Sequence, residues 1–135
     1  MKSSVKTMYK VGKIFNMIAI VLSSLMFFAG MFTLIFKERV AELGIKNIET
    51  AGAAERLGIV LLIVAAVSII LEIAFYVCAS KADRFTREDK DTYVDHTTMV
   101  VVGIIGNIFY LIGGIFGLVY LNQKESEKEI EDKKE

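Results

Sequence analysis

The chain has 135 residues, of which 54% are hydrophobic and 24% are charged, a size that fits one compact unit. Its formal net charge is zero, from 16 basic and 16 acidic side chains, so the composition gives no electrostatic basis for binding nucleic acid. The single cysteine, Cys78, excludes an intrachain disulfide and a cysteine-based zinc site. Charged and apolar residues are segregated into separate stretches, which is typical of membrane proteins.

The chain begins with a basic segment, residues 1–13, and continues into an apolar stretch, residues 14–36, that contains no charge. The 23 residues of this stretch would span about 35 Å as a helix, enough to cross a bilayer. A secretory signal peptide also places lysines before an apolar run, but that run is about 7–15 residues long and ends in small residues. Because this stretch ends in Phe32, Ile35 and Phe36, we predict an uncleaved first transmembrane helix.

Two further apolar stretches follow. Residues 57–79 contain one charge, Glu72, and residues 97–121 contain none. Each is long enough to span a bilayer as a helix, and neither shows the polar and apolar alternation of barrel strands. Because lipid offers no hydrogen bonds to an exposed backbone, the pattern predicts an all-α integral membrane protein with three transmembrane helices in a small up-down bundle.

The segments between and after these stretches are charged. Residues 37–56 place apolar side chains at spacings near three and four, which predicts either a short amphipathic helix at the interface or an N-terminal extension of the second span. In the charged loop at 80–96, Thr86 and Asp89 have the spacing of a helix-capping pair. The tail, residues 122–135, pairs opposite charges four residues apart and is either a solvated helix or disordered.

The distribution of Lys and Arg does not orient three spans. The N-terminal segment and the second loop together hold eight, and the first loop and the tail hold the other eight, so the positive-inside rule gives a tie. The basic start and the α-amino group favour a cytoplasmic N-terminus, which for three spans puts the C-terminus outside. The expected location is the cell membrane, as a multi-pass protein surrounded by the lipid bilayer.

Glu72 is the one charged residue within the predicted spans. A carboxylate in hydrocarbon costs about 2.5 to 3.5 kcal/mol on insertion scales, so it should face protein or water. Counting residues along antiparallel spans brings it to the depth of three other polar residues, Ser23, Ser24 and Asn107. This candidate polar layer is either a proton or cation site or a set of hydrogen bonds between helices. The structural alternative has the stronger support, since no span contains a basic partner.

Small residues mark a packing face on the second and third spans. On the second they recur every seven residues, and on the third glycines follow at spacings of three, seven and four. Such faces let two helices approach closely. The candidate helix-packing residues are Gly58, Ala65, Gly103, Gly106, Gly113 and Gly117. They predict packing within the chain and offer a surface for a homo-oligomer or a larger membrane complex.

Other chemical motifs are weak or missing from the sequence. The acids of the second loop and His96 could hold a hard cation, but they match no calcium-loop spacing, and a solvated loop or a lone histidine without a special role explains them better. No nucleophile elbow, P-loop, zinc-protease or dinucleotide motif occurs. We therefore expect no enzyme activity, no cofactor and no metal. A structural or interaction role is the leading hypothesis, with ion- or proton-coupled transport through Glu72 as the alternative.

In general character the chain resembles the small Ile- and Lys-rich membrane proteins of low-GC Gram-positive bacteria, and residues 103–120 contribute most of that likeness. The resemblance implies a bacterial membrane protein but no activity or site. Small multidrug transporters also have one membrane glutamate, but theirs lies in the first of four spans, whereas Glu72 lies in the second of three. Phage holins, with up to three spans and a charged tail, are a second, looser likeness.

Overall fold

A computed structural model describes residues 2–134, and this part of the chain consists of five α-helices without a strand. In chain order they are α1 (Lys2–Ile35), α2 (Lys37–Glu42), α3 (Ala51–Arg87), α4 (Tyr93–Ile105) and α5 (Ile108–Lys134). The prediction of an all-α chain is confirmed for these residues. The count of three spans is not confirmed, because only α1 and α3 among the described helices are long and apolar enough to cross a membrane.

α1 and α3 contain the first two predicted spans and extend beyond them, to 34 and 37 residues. In the most apolar 18-residue window of each helix, only 17% of α1 and 11% of α3 is buried. The core helix of a soluble protein would be mostly buried on at least one broad face. The exposed apolar surface of these two helices is instead typical of segments that lie in lipid.

The third predicted span, residues 97–121, does not fold as a single helix. α4 and α5 run antiparallel and form a helical hairpin. Gly103 of α4 lies against Leu111 of α5, and Gly114 of α5 lies against Val100 of α4, the order that an antiparallel pair requires. α4 has 13 residues, fewer than the roughly 20 that a spanning helix needs.

The turn of the hairpin is built by Gly106 and Asn107. Asn107 caps α5, because its side-chain oxygen accepts a hydrogen bond from the backbone N–H of Phe109 at 3.0 Å. Its side-chain amide donates to the backbone carbonyl of Gly12 in α1 at 2.9 Å. Gly106 lies against the ring of Phe75, from which an added Cβ atom would be 2.8 Å away. Hydropathy predicts a continuous helix here because both turn residues are uncharged, yet an asparagine within an apolar run can start a new helix.

Residues 37–56 contain both a short helix and an N-terminal extension of the second apolar helix, the two alternatives predicted for this segment. α2 is a short helix of six residues directly after α1, with Val40 buried, and α3 begins six residues before the predicted span. Thr50 precedes α3, and its hydroxyl accepts a hydrogen bond from the N–H of Ala53 at 3.1 Å. Between the two helices, Gly44 and Asn47 have φ angles of 71° and 72°, in the left-handed region that glycine and asparagine tolerate best.

The charged loop predicted at 80–96 is mostly helical, and only residues 88–92 lie outside α3 and α4. The capping pair at the start of α4 is Thr92 with Asp95, and not the predicted pair at Thr86. The backbone N–H of Thr92 donates to the Asp95 carboxylate at 3.0 Å, and the N–H of Asp95 donates to the Thr92 hydroxyl at 3.4 Å. This reciprocal capping box fixes where α4 starts.

The described residues form two compact units. The hairpin unit consists of residues 2–17 and 74–134, which are the start of α1, the end of α3 and the α4–α5 hairpin. The helix-pair unit, residues 18–73, holds the rest of α1 and α3 together with α2. The core of the hairpin unit is a cluster of buried apolar side chains, namely Val5, Tyr9, Ala79, Ala82, Met99, Val102 and Tyr110.

Candidate functional site

In the helix-pair unit, the carboxylate of Glu72 in α3 meets the hydroxyl of Ser23 in α1. Ser23 is buried, and its hydroxyl lies 3.2 Å from each carboxylate oxygen of Glu72. Glu72 itself is half-buried, because its carboxylate is turned towards α1. This is the placement that an acid within an apolar helix requires.

The other two residues of the predicted polar layer have different partners. The Ser24 hydroxyl donates to the backbone carbonyl of Ile20, one turn earlier in its own helix, at 2.8 Å. Asn107 belongs to the hairpin unit, where it caps α5 and bonds to Gly12. The structure therefore brings Ser23 and Glu72 together and gives Ser24 and Asn107 separate roles.

α1 and α3 approach closely within the helix-pair unit at two glycines. A Cβ atom at Gly58 would lie 2.8 Å from Cγ of Leu34 and 3.1 Å from the carbonyl oxygen of Gly30. A Cβ atom at Gly30 would lie 3.1 Å from the carbonyl oxygen of Gly58. On the same face of α3, Ala54 and Ala65 are fully buried. The candidate packing residues Gly58 and Ala65 thus line this contact, and Gly30 is a partner that the spacing on α3 alone could not identify.

The glycine face of α5 holds aromatic rings of the same chain. A Cβ atom at Gly113 would lie 2.7 Å from the ring of Tyr9, and one at Gly117 would overlap the ring of His96. Both glycines are buried by the chain itself. The stripe is therefore a groove for side chains of α1 and α4, so a homo-oligomer would have to use a different face of the protein.

Three buried polar side chains form a hydrogen-bonded network in the hairpin unit, which we call the Tyr9–His96–Asp91 network. The hydroxyl of Tyr9 in α1 lies 2.6 Å from Nδ1 of His96 in α4, and Nε2 of His96 lies 2.7 Å from an oxygen of Asp91. Tyr9 and His96 are fully buried, and the Asp91 side chain is 2% exposed. With His96 neutral, Nε2–H donates to Asp91 and the Tyr9 hydroxyl donates to Nδ1, so every group is satisfied.

A buried carboxylate on α3 lies in the same unit between two basic side chains. Asp83 is 3.0 Å from Nζ of Lys13 and 3.1 Å from Nη2 of Arg87, and pairing of this kind is what makes a buried charge tolerable. At the outer end of the unit, Lys2 forms an ion pair with Asp89. The hydrogen bond between them raises the pKa of Lys2 and lowers the pKa of Asp89, so both remain charged at neutral pH.

His96 is the one histidine of the sequence and belongs to no motif, so the sequence alone gives it no special role. Tyr9 is 87 residues away along the chain, and only the fold brings the two together. One local signal was available. The Thr92 and Asp95 capping box starts a helix just before His96, which places His96 in the first turn, within reach of the acids in the preceding loop.

The described residues contain no candidate metal site, and the comparisons with known proteins indicate no function. Within residues 2–134, no three His, Cys, Asp or Glu side chains are grouped so that they could hold a metal ion. Comparisons of the chain with protein-family models, with curated proteins and with solved structures give no match.

Proposed function

We propose that this protein is a non-enzymatic, multi-pass protein of the cell membrane, in which α1 and α3 pair through small residues and offer their outer faces to lipid and to other membrane helices. The observation that supports this most directly is the division of side chains between the two faces of these helices. Their contact is made by Gly30, Gly58, Ala65 and the Ser23–Glu72 pair. Large apolar side chains are exposed along both helices, and they include Val21, Leu22, Leu25, Phe28, Phe32, Ile63, Val67 and Ile70.

This division is the reverse of the one found in a water-soluble protein. Burial of a Val, Leu, Ile or Phe side chain stabilises a protein in water by about 1.5–3 kcal/mol, and these helices would leave that free energy unrealised at every outward position. A large continuous apolar surface of this kind marks a membrane or protein interface. Small residues at the inner contact are also how membrane helices associate, since lipid provides no hydrophobic driving force between helices.

The Ser23–Glu72 pair favours a second candidate function, ion- or proton-coupled transport. The hydroxyl of Ser23 is shared between both carboxylate oxygens, so protonation of Glu72 would change the hydrogen bond between α1 and α3 directly. Ionisable groups within membrane helices often form ion or proton pathways. We rank this function second, because a half-buried acid that accepts a hydrogen bond from the neighbouring helix serves equally well as a structural contact.

Flux measurements in liposomes separate the two functions. If Glu72 is structural, the wild type and Glu72→Gln show the same background leak of protons and cations. Glu55→Gln is the matched control, since Glu55 is an exposed acid of α3 with only a surface ion pair to Lys37. Flux in the wild type and in Glu55→Gln that is lost in Glu72→Gln would establish transport and contradict the proposed structural role.

A further inference from the structure

The tip of the α4–α5 hairpin is apolar and exposed. Ile104, Ile105 and Ile108 surround the turn and are 70%, 68% and 62% exposed. Turns that face water are built mainly from Gly, Pro, Asn, Asp and Ser. Three exposed isoleucines at one turn therefore indicate that the tip lies in an apolar surrounding.

The open end of the same hairpin is charged. α4 follows the polar residues 88–92, and α5 continues into residues 122–133, which are all exposed and mostly Lys and Glu. Across this end the hydroxyl of Tyr93 donates to the Glu125 carboxylate at 2.6 Å. An apolar tip and a charged base are the distribution expected of a hairpin that enters a bilayer and leaves it on the same side.

The length of the hairpin fits half of a bilayer. The 13 residues of α4 extend about 20 Å, whereas the hydrocarbon layer is about 30 Å thick, so α4 is too short to cross it. Apolar segments of this length occur in re-entrant hairpins as well as in buried core helices. The tip contacts α1 at Gly12 and Asn16, where the Asn107 amide donates to the Gly12 carbonyl at 2.9 Å and the Tyr110 hydroxyl donates to Oδ1 of Asn16 at 2.8 Å. Non-helical backbone at membrane depth must be satisfied by protein. At this turn the N–H of Gly106 donates to the Val102 carbonyl, that of Asn107 to the Gly103 carbonyl, and that of Phe109 to the Asn107 side chain.

We infer that the α4–α5 hairpin is re-entrant: it enters one leaflet, is surrounded at its tip by lipid acyl chains, and returns, so that the N-terminal segment and the C-terminal tail lie on the same side. The inference rests on the proposed membrane function. It also resolves the tie in positive charge, because twelve of the 16 Lys and Arg residues then lie on that side and four, in residues 37–56, lie on the other. The positive-inside rule places the side with twelve in the cytoplasm.

Labelling of single cysteines with a membrane-impermeant maleimide tests this topology. In a Cys78→Ala background, Ser3→Cys, Ser126→Cys and Glu49→Cys each place a thiol at an exposed position. We expect Glu49→Cys to react in intact cells, and Ser3→Cys and Ser126→Cys to react only after permeabilisation. Opposite behaviour of Ser3→Cys and Ser126→Cys would overturn the re-entrant hairpin, because it would mean that the third apolar segment crosses the membrane.

A cysteine at the tip tests the position of the turn. Ile105→Cys should resist the reagent from both sides until detergent dissolves the membrane, and its labelling in detergent-free membranes would overturn the inference. Failure of the proposed membrane function gives a different result, because the protein would then stay in the supernatant of a detergent-free lysate. Labelling of Ser3→Cys, Ser126→Cys and Glu49→Cys from a single side would likewise contradict the spanning of α1 and α3, and not the hairpin.

Discussion

Gly114→Ala and Gly117→Ala are expected to lower the thermal stability of the detergent-solubilised protein markedly, because each new methyl group enters space that α4 already fills. The added Cβ atom at Gly114 would lie 2.8 Å from the carbonyl oxygen of His96 and from the N atom of Val100. Backbone atoms cannot move away unless the helices separate, and overpacking of this kind costs about 1–3 kcal/mol. The measurement is the midpoint of thermal unfolding, followed by the loss of helical circular dichroism.

Gly52→Ala is the matched control for both variants. Gly52 is helical like Gly114 and Gly117, but it is exposed, and no atom lies within 4 Å of an added Cβ. Alanine is favoured over glycine in a helix by about 0.5–1 kcal/mol, so this variant should unfold at the wild-type temperature or slightly above it. Equal midpoints for all three variants would contradict the close packing of α4 on α5.

His96→Leu is expected to have the largest effect of any single substitution in the hairpin unit. It removes the donor to the buried Asp91 carboxylate and the acceptor of the Tyr9 hydroxyl at the same time. A buried group left without its hydrogen-bond partner costs about 1–3 kcal/mol, and a carboxylate more, and this substitution leaves two such groups. We expect unfolding at a much lower temperature, or loss of the folded protein after extraction into detergent.

Two comparisons make the His96 prediction specific. Tyr9→Phe should cost about 1–3 kcal/mol, because it leaves His96 without a partner at Nδ1, whereas Tyr93→Phe, at an exposed hydroxyl, should cost far less. The double variant His96→Leu, Asp91→Leu should be less destabilised than the sum of its single variants, because both lose the same interaction. Additive effects, or equal effects of the two tyrosine substitutions, would mean that the network contributes little.

The sequence predicts α1 and α3 well because hydropathy acts on their whole length. The prediction of a third span is wrong because the helix breaks at one residue, Asn107, whose side chain caps α5. Mean hydropathy over a long apolar stretch does not detect a single capping residue. For the charged segment at 80–96 the sequence predicts a loop, because its charges suggest that the helix ends before them. The helix continues because the Asp83 carboxylate is buried between Lys13 and Arg87.

The residues of the predicted polar layer are placed correctly only where the helix that holds them was predicted correctly. Ser23 and Glu72 are brought together as residue counting expected, because α1 and α3 are uninterrupted between their ends and these two positions. Residue counting predicts the same depth for Asn107 only if residues 97–121 form one helix, and the break between α4 and α5 contradicts this. The Tyr9–His96–Asp91 network could not be predicted, because Tyr9 reaches His96 only when α4 folds back against the start of α1.

Lipid around the outer faces of α1 and α3 is the central claim, and tryptophan fluorescence tests it most directly. The chain contains no Trp, so Phe28→Trp introduces a single emitter at an exposed apolar position of α1, and Ile130→Trp provides the control in the exposed tail. In liposomes, Phe28→Trp should be quenched by lipids brominated in their acyl chains and be insensitive to aqueous iodide, and Ile130→Trp should behave in the reverse way. Quenching of Phe28→Trp by iodide but not by brominated lipid would contradict the claim.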